Sequence, residues 1–89
     1  MAMTISLAMI MKNEERTLQM ALESARPVCD EMIVVDTGST DRSIEIAERV
    51  GATVRHFTWI DDFAAARNFS FDQCTSDWIM MLDADDELP

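Results

Sequence analysis

Two aspartates separated by one residue directly follow an apolar segment near the end of the chain. Residues 78–82 read Trp-Ile-Met-Met-Leu, and Asp83 and Asp85 come next. Because side chains alternate along an extended segment, both carboxylates point to the same side. Carboxylate oxygens are the ligands that Mg²⁺ and Mn²⁺ prefer, and both ions often share their coordination with substrate phosphates. The pair therefore predicts a divalent metal site; the simpler interpretation is a solvated acidic turn.

A second acid, Asp36, ends another apolar segment and is followed by a short polar loop that contains Gly38 and ends at Asp41. At the end of a central strand, such an acid accepts hydrogen bonds from a nucleobase N–H or a ribose hydroxyl. Gly38 permits a close backbone approach. The alternative interpretation is an ordinary strand-to-helix turn, and for Asp41 we favour that interpretation, with the side chain as a helix cap.

Arg67 follows three alanines on a predicted helix. Small neighbours allow a ligand to approach, and a guanidinium binds phosphate through two parallel hydrogen bonds. The alternative is a surface arginine paired with an acid. Lys12 could face the same edge, but we expect a solvated ion pair with the adjacent glutamates. For His56 we expect a strand-edge position with a satisfied ring. Trp59 could stack on a base or sugar, but we favour a place in the core.

Four apolar segments alternate with three segments of helical periodicity. The strands are expected at residues 4–11, 32–36, 53–57 and 77–82. The expected helix caps are Asn13, Asp41 and either Asp61 or Asp62, and Gly51 lies just past the end of the second helix. The order βαβαβαβ predicts an α/β fold in three layers, with a mostly parallel four-stranded sheet and helices on both faces. The segments after the strands then meet at one edge of the sheet.

The composition limits the classes of partner. The chain has 89 residues and a formal net charge of −10, and it contains two cysteines. That length gives a single small domain, residues 1–89. The negative charge argues against nucleic acid as a partner. No apolar run reaches the roughly 18 residues that span a membrane. Cys29 and Cys74 match no metal-binding spacing, and we expect free buried thiols and a cytoplasmic location.

Taken together, these segments resemble the N-terminal half of the family-2 glycosyltransferases, whose fold is called GT-A. The resemblance covers essentially the whole chain, and four motifs in the right order carry it. The Asp-Thr-Gly-Ser form of residues 36–39 and the Trp-Ile-Asp-Asp-Phe stretch of residues 59–63 look most like a bacterial subgroup that is often joined to helical repeats. The matching segments are residues 5–15, residues 34–41, residues 65–68 and residues 77–86.

The resemblance implies a nucleotide-diphospho-sugar donor, typically a UDP-sugar, with Mn²⁺ or Mg²⁺ as cofactor. It implies inversion at the anomeric carbon. A general base would deprotonate the acceptor, and the metal would stabilise the departing diphosphate. By position, Asp36 would contact the uracil or ribose, and Glu15 or Glu14 would lie near the nucleoside. Arg67 would reach the base or diphosphate. Asp83 would contact the ribose or metal, and Asp85 would ligate the metal directly.

Two departures from the family pattern matter. Many members carry a second acid after the one that matches Asp36, and here that residue is Thr37. The acceptor-binding half and the later acid that serves as base would lie beyond residue 89. We therefore expect a truncated, Rossmann-like half of a GT-A fold that binds nucleotide and does not catalyse transfer by itself. Open sheet edges would favour self-association.

Other classes with this architecture fit less well. A Rossmann dehydrogenase needs Gly-x-Gly-x-x-Gly after the first strand, where this chain has Met-Lys-Asn-Glu, and the Gly-Lys-Ser/Thr of a P-loop is missing. A receiver domain needs a late lysine, and none follows Lys12. A related nucleotidyltransferase needs a glycine-rich basic loop. The alternative that stays open is a non-catalytic α/β module for nucleotide binding or protein interaction.

Overall fold

The computed structural model describes residues 3–84, which form four strands and three α-helices in strict alternation. In chain order these are β1 (Ile5–Met11), α1 (Leu18–Ala25), β2 (Glu31–Asp36), α2 (Ser43–Val50), β3 (Thr53–His56), α3 (Phe63–Asp72) and β4 (Trp78–Met81). A single 3₁₀ turn (Arg26–Val28) follows α1. The predicted order βαβαβαβ is confirmed.

All strands of the sheet are parallel, in the spatial order β3-β2-β1-β4. The two central strands are buried almost throughout, as expected for strands covered on both faces. Met11 at the end of β1 lies opposite Asp36 at the end of β2, and Asp36 lies opposite His56 at the end of β3. The carboxyl ends of the strands therefore share one edge of the sheet.

The helices cover the sheet on two sides. Alternate residues of β1 (Leu7, Met9 and Met11) form the main core together with apolar residues of α1 and α2. The connection from β3 to β4 runs back across the sheet, so a right-handed crossover places α3 on the opposite face, where it packs on β1 and β2. These helices have 8 to 10 residues, and none within residues 3–84 is long and apolar enough to cross a membrane.

Local sequence signals explain where two of the helices begin or end. The Asp62 carboxylate accepts a hydrogen bond from the Ala65 N–H at 3.1 Å, which caps α3 as predicted. Gly51 ends α2 with φ +101°, and its N–H donates to the Glu48 carbonyl, as predicted for a left-handed cap.

The other two predicted caps are wrong. The α1 helix begins at Leu18, five residues after Asn13, and Thr17 occupies its cap position. The α2 helix begins at Ser43, and Arg42 rather than Asp41 occupies its cap position. The Asn13 side chain instead binds the loop after β2. The Asp41 side chain lies one position before the cap of α2, where it accepts a hydrogen bond from the Ser43 N–H and a second one from Glu15 in the loop after β1.

Acidic side chains connect the strands at the amino-terminal edge of the sheet. Asp30 accepts a hydrogen bond from the Ile5 N–H at 2.8 Å, and Asp77 accepts one from the Thr4 N–H at 3.0 Å. Glu31 accepts hydrogen bonds from the fully buried Ser6 hydroxyl at 2.9 Å and from both the N–H and the hydroxyl of Thr75. Three of the 17 acidic residues therefore stabilise the sheet at the edge opposite the candidate site.

Both cysteines are free thiols, as predicted, but they are half-buried rather than buried. Burial raises the pKa of each thiol, and the nearby carboxylates of Asp30 and Glu31 raise the pKa of Cys29 and Cys74 respectively. Such thiols stay protonated near neutral pH and react slowly.

The Glu31 contacts predict a pH-dependent contribution to stability. Burial tends to raise the pKa of Glu31, but the hydrogen bonds from Thr75 and Ser6 outweigh it, so the pKa lies below its ordinary value. The contribution is therefore complete above the unfolded-state pKa of about 4.3 and disappears as the pH falls through the lower folded-state value. At neutral pH, Glu31→Ala should lower the free energy of unfolding by about 1–3 kcal/mol, because the buried Ser6 hydroxyl loses its acceptor.

Thermal unfolding followed by circular dichroism from pH 7 to pH 3 measures this effect. Exposed Glu48 supplies the control variant, Glu48→Ala. The wild type and the control should lose the Glu31 contribution on acidification, so that the difference from Glu31→Ala narrows at low pH. A difference that stays constant across the range would contradict the assignment.

Candidate functional site

The candidate site is the carboxyl-terminal edge of the sheet, which we call the rim: residues 11–15, 36–41, 57–62 and 82–84. The parallel strands direct all four segments to this edge. In open α/β sheets ligands bind outside the carboxyl ends of the strands, so this is the edge at which a ligand is expected. The described part of the rim contains the predicted site residues Glu15, Asp36 and Asp83.

The loops after β1 and β2 are joined by hydrogen bonds. Three consecutive backbone N–H groups of the first loop donate to side-chain oxygens of the second loop and the start of α2. These bonds run from Asn13 N to Ser39 Oγ at 2.9 Å, from Glu14 N to Ser43 Oγ at 2.8 Å and from Glu15 N to Asp41 Oδ2 at 3.2 Å. Groups that would otherwise need water as a partner therefore bind the two loops to each other.

Asn13 completes this connection from the other side. Its Oδ1 accepts hydrogen bonds from the backbone N–H groups of Thr40 at 2.7 Å and Asp41 at 3.2 Å. The residue adopts φ +54°, a left-handed conformation in which asparagine is enriched among residues other than glycine. The side chain that we expected to cap α1 thus connects two loops.

Asp41 has a similar role. Its carboxylate accepts hydrogen bonds from the N–H of Ser43 at 2.9 Å and from the N–H of Glu15. Burial tends to raise the pKa of this carboxyl group, but the hydrogen bonds from Ser43 and Glu15 outweigh it, so the pKa lies below its ordinary value. The charged form is therefore favoured at neutral pH, which keeps the connection between the loops intact.

Asp36 lies at the centre of the rim and is only 3% exposed. Its carboxylate accepts hydrogen bonds from the N–H groups of Gly38 at 3.2 Å and Ser39 at 3.1 Å, which shape the loop after β2. The Nδ1 atom of His56 lies 3.8 Å from Asp36 Oδ2, and the His56 side chain itself is exposed. Asp36 therefore has a structural role in the loop, and only a small part of its surface faces outward.

Thr37 stands where many family members carry a second acid. Both its N–H and its hydroxyl donate to the Met11 carbonyl at 3.1 Å, and its side chain is buried. The residue thus anchors the loop after β2 to the end of β1. Its hydroxyl is used inside the protein, so it does not replace the missing carboxylate as an outward-facing group.

Two cavities open at the rim, and Trp59 lines both of them. The first, of about 280 Å³, is also lined by Phe63 and by the polar residues Lys12, Glu14 and Thr37. The second, of about 300 Å³, is lined by Thr37, the Asp36 loop and His56. Trp59 is 41% exposed, so its expected place in the core is wrong.

The remaining predicted residues surround these cavities. Lys12 lines the first cavity, and no ion pair within residues 3–84 includes it, so the expected ion pair is wrong. Arg67 lies on α3 with its guanidinium carbon 4.9 Å from the centre of the Phe63 ring. Glu14 lines the first cavity, whereas the Glu15 side chain is exposed and its backbone serves the loop connection.

The acidic segment after β4 is described only in part. Asp83 is exposed between two buried residues, Leu82 and Ala84, and the Ala84 carbonyl accepts a hydrogen bond from the Thr17 hydroxyl at 3.1 Å. Residues 3–84 contain no group of three acids, histidines or cysteines that would hold a metal ion. Asp85, the predicted direct metal ligand, lies outside the described residues, and a metal site that includes it stays a prediction.

Comparisons with known proteins agree with this architecture. The chain is similar to solved structures of glucosyl-3-phosphoglycerate synthase from Mycobacterium tuberculosis. The complex with Mn²⁺, uridine diphosphate and glucosyl-3-phosphoglycerate has a TM-score of 0.75 and 27% identity, over 93% of this chain and 34% of that chain. The complex with Mn²⁺ and UDP-glucose has a TM-score of 0.76 and 28% identity, with 94% and 34% covered. The fold is therefore that of GT-A glycosyltransferases.

The profile of the family described as "Glycosyl transferase family 2" matches residues 6–89. This chain belongs to glycosyltransferase family 2. Among curated relatives, it is 49% identical to a TPR repeat-containing protein of Synechococcus elongatus, with 94% of this chain and 21% of that protein covered. It is 39% identical to a glycosyltransferase of Rickettsia typhi, with 94% and 28% covered. The chain thus spans about a fifth to under a third of the length of these relatives.

The role of Asn13 can be tested by two substitutions that differ only in backbone freedom. Asn13→Ala should lower the free energy of unfolding by about 2 kcal/mol, since it removes the Oδ1 acceptor and places alanine at positive φ. Asn13→Gly removes the same acceptor but tolerates the backbone, so it should be about 1 kcal/mol more stable than Asn13→Ala. Urea denaturation measures both values. An alanine variant as stable as the wild type would contradict the role of Asn13 as a connector.

Proposed function

We propose that this chain provides the donor-binding site of a metal-dependent glycosyltransferase, with a nucleotide-diphospho-sugar such as a UDP-sugar as ligand. The observation that carries the proposal is the convergence of Asp36, Asp83 and two cavities on one rim of a GT-A sheet. The similar Mycobacterium tuberculosis enzyme has been solved in complex with Mn²⁺ and UDP or UDP-glucose, which supports the choice of ligand.

In this proposal Asp36 contacts the uracil or ribose, and Glu15 or Glu14 lies near the nucleoside. The Asp36 carboxylate accepts hydrogen bonds from two N–H groups of its own loop, one of which contacts both oxygens, and these oxygens retain lone pairs for one more donor. A group this buried offers a ligand one edge only, which suits a single directed bond to a base N–H. Glu14 lines a rim cavity directly, so it is the better placed of the two glutamates. Arg67 then supplies positive charge toward the base or diphosphate.

Asp83 and Asp85 are proposed to hold Mn²⁺ or Mg²⁺. Asp83 fits this role because it presents an exposed carboxylate, which is a hard oxygen ligand, at the end of β4. A bound divalent ion would stabilise the negative charge that develops on the departing diphosphate. It would also offset repulsion between that diphosphate and a chain of net charge −10.

For the reaction we propose transfer with inversion at the anomeric carbon. A general base must remove the proton from the acceptor, and we assign that role to no residue of this chain. The curated relatives are several times longer than the matched segment. We therefore propose that these 89 residues, purified by themselves, bind the donor and do not transfer the sugar.

Calorimetric titration with UDP and with a UDP-sugar, with and without Mn²⁺, tests the donor site. Binding should weaken about tenfold or more without Mn²⁺, and by a similar factor in Asp85→Ala and in Asp83→Ala. Removing a side chain that only supports a metal ligand already lowers metal affinity by about tenfold or more, so removing a ligand itself should cost at least as much. Asp72→Ala removes an exposed acid at the far end of α3 and should bind normally. The same samples should release no UDP from a UDP-sugar. Absence of binding at millimolar ligand, or detectable sugar transfer, would contradict the proposal.

We also propose that the chain self-associates through its open sheet edge. Within residues 3–84, β4 pairs only with β1, so its outer side carries unpaired backbone groups. Trp78, Ile79 and Met81 on this strand are 57%, 42% and 38% exposed. An exposed apolar edge strand favours pairing with another chain, and a lysine on the edge opposes it.

Sedimentation velocity over a range of protein concentrations tests this association. The wild type should form dimers or larger oligomers as the concentration rises, and Ile79→Lys should shift the equilibrium toward monomer. Met20→Lys replaces an exposed methionine of α1 and serves as the control. A wild type that stays monomeric at hundreds of micromolar would contradict the proposed association.

A further inference from the structure

Two large aromatic side chains lie exposed at the rim and line the same cavity. Trp59 is 41% exposed and Phe63 is 48% exposed, and both border the first cavity of about 280 Å³. Exposed aromatic groups around a concave surface indicate a binding site rather than a packing role. A cavity of this size is smaller than typical sites for whole drug-sized ligands, so it suits one part of a ligand, such as a nucleobase.

The Trp59 ring is held in place at its polar atom. Its Nε1–H donates to Asp61 Oδ1 at 2.9 Å, and Asp61 adopts φ +57°, a left-handed conformation in which aspartate, like asparagine, is enriched. The next residue, Asp62, caps α3. Because its only donor is satisfied within the loop, the indole leaves its apolar faces available for stacking, and little conformational entropy remains to be lost on binding.

The surroundings of Phe63 add positive charge to the same cavity. The Arg67 guanidinium lies over the Phe63 ring at 4.9 Å, and Lys12 lines the cavity itself. Glu14 also lines this cavity and offsets the charge of Lys12, so the Arg67 guanidinium beside Phe63 supplies the further positive charge that favours an anionic ligand. Aromatic rings beside cations suit a planar base attached to phosphate.

Trp59 and Thr37 line both cavities of the rim. A base in either cavity would therefore meet Trp59, and the second cavity includes Asp36, the proposed partner of a base N–H. We propose that Trp59, assisted by Phe63, forms the stacking platform for the nucleobase of the donor nucleotide. This inference rests on the proposed function and adds a residue that determines donor affinity through the base rather than through the diphosphate.

Titration with two ligands separates these contributions. UDP carries the base, whereas inorganic pyrophosphate carries the diphosphate alone, and both are titrated with Mg²⁺ into the 89-residue chain by calorimetry. Trp59→Ala should weaken UDP binding about tenfold or more, since base stacking contributes about 1–3 kcal/mol, and should leave pyrophosphate binding unchanged. Trp59→Phe should recover most of the affinity, and Trp78→Ala, at the opposite edge of the sheet, should bind both ligands normally.

Fluorescence gives a second reading without removing Trp59. In Trp78→Phe the only tryptophan is Trp59, and its emission should be quenched by UDP and not by pyrophosphate. In Trp59→Phe the only tryptophan is Trp78, and its emission should not respond to UDP. If the wild type binds UDP but Trp59→Ala binds it equally well, the stacking role is wrong and the proposed donor site stands. If the wild type binds no UDP, both proposals are wrong.

Discussion

The hydrogen bonds between the loops after β1 and β2 determine the shape of the rim. Three successive N–H groups of residues 13–15 donate to side-chain oxygens of residues 39–43, and Asn13 Oδ1 accepts bonds in the reverse direction. Thr37 adds two bonds to the Met11 carbonyl. Because the backbone N–H groups are paired within the protein, the loops need no ligand to reach this arrangement. The delayed start of α1 at Leu18 follows from the same bonds.

The acidic residues of the chain serve two different purposes. Asp30, Glu31 and Asp77 connect strands at the amino-terminal edge, where each accepts hydrogen bonds from a neighbouring strand or turn. Asp36 and Asp41 organise the rim by accepting hydrogen bonds from backbone N–H groups. Asp83, which follows β4, is exposed instead. A net charge of −10 therefore does not imply a uniformly repulsive site, and in the proposed donor site a metal ion would offset the repulsion between this charge and a diphosphate.

The features that could be predicted from the sequence are those that depend on residues close together in the chain. Periodicity and local caps identified the α/β order, the Asp62 cap and the Gly51 helix end, because these depend on residues within one turn of each other. The capping rule is wrong for Asn13 and incomplete for Asp41. The partners of Asn13 and the Glu15 partner of Asp41 lie 26 to 28 residues away, whereas a capping rule considers only neighbours. Trp59 was assigned to the core since large aromatics are usually buried, although the Trp-Ile-Asp-Asp-Phe segment places it on a rim loop. The resemblance identified the family before any geometry was known.

The proposed donor site requires that a nucleotide binds at the carboxyl-terminal rim. An NMR titration of the ¹⁵N-labelled chain with UDP and Mg²⁺ locates the bound nucleotide, because each backbone N–H reports its own surroundings. The perturbed signals should belong to residues 11–15, 36–41 and 57–63, while the signals of residues 26–32 and 72–78 at the opposite edge should keep their positions. Perturbations centred on that opposite edge, or none at saturating UDP, would contradict a nucleotide site at the rim.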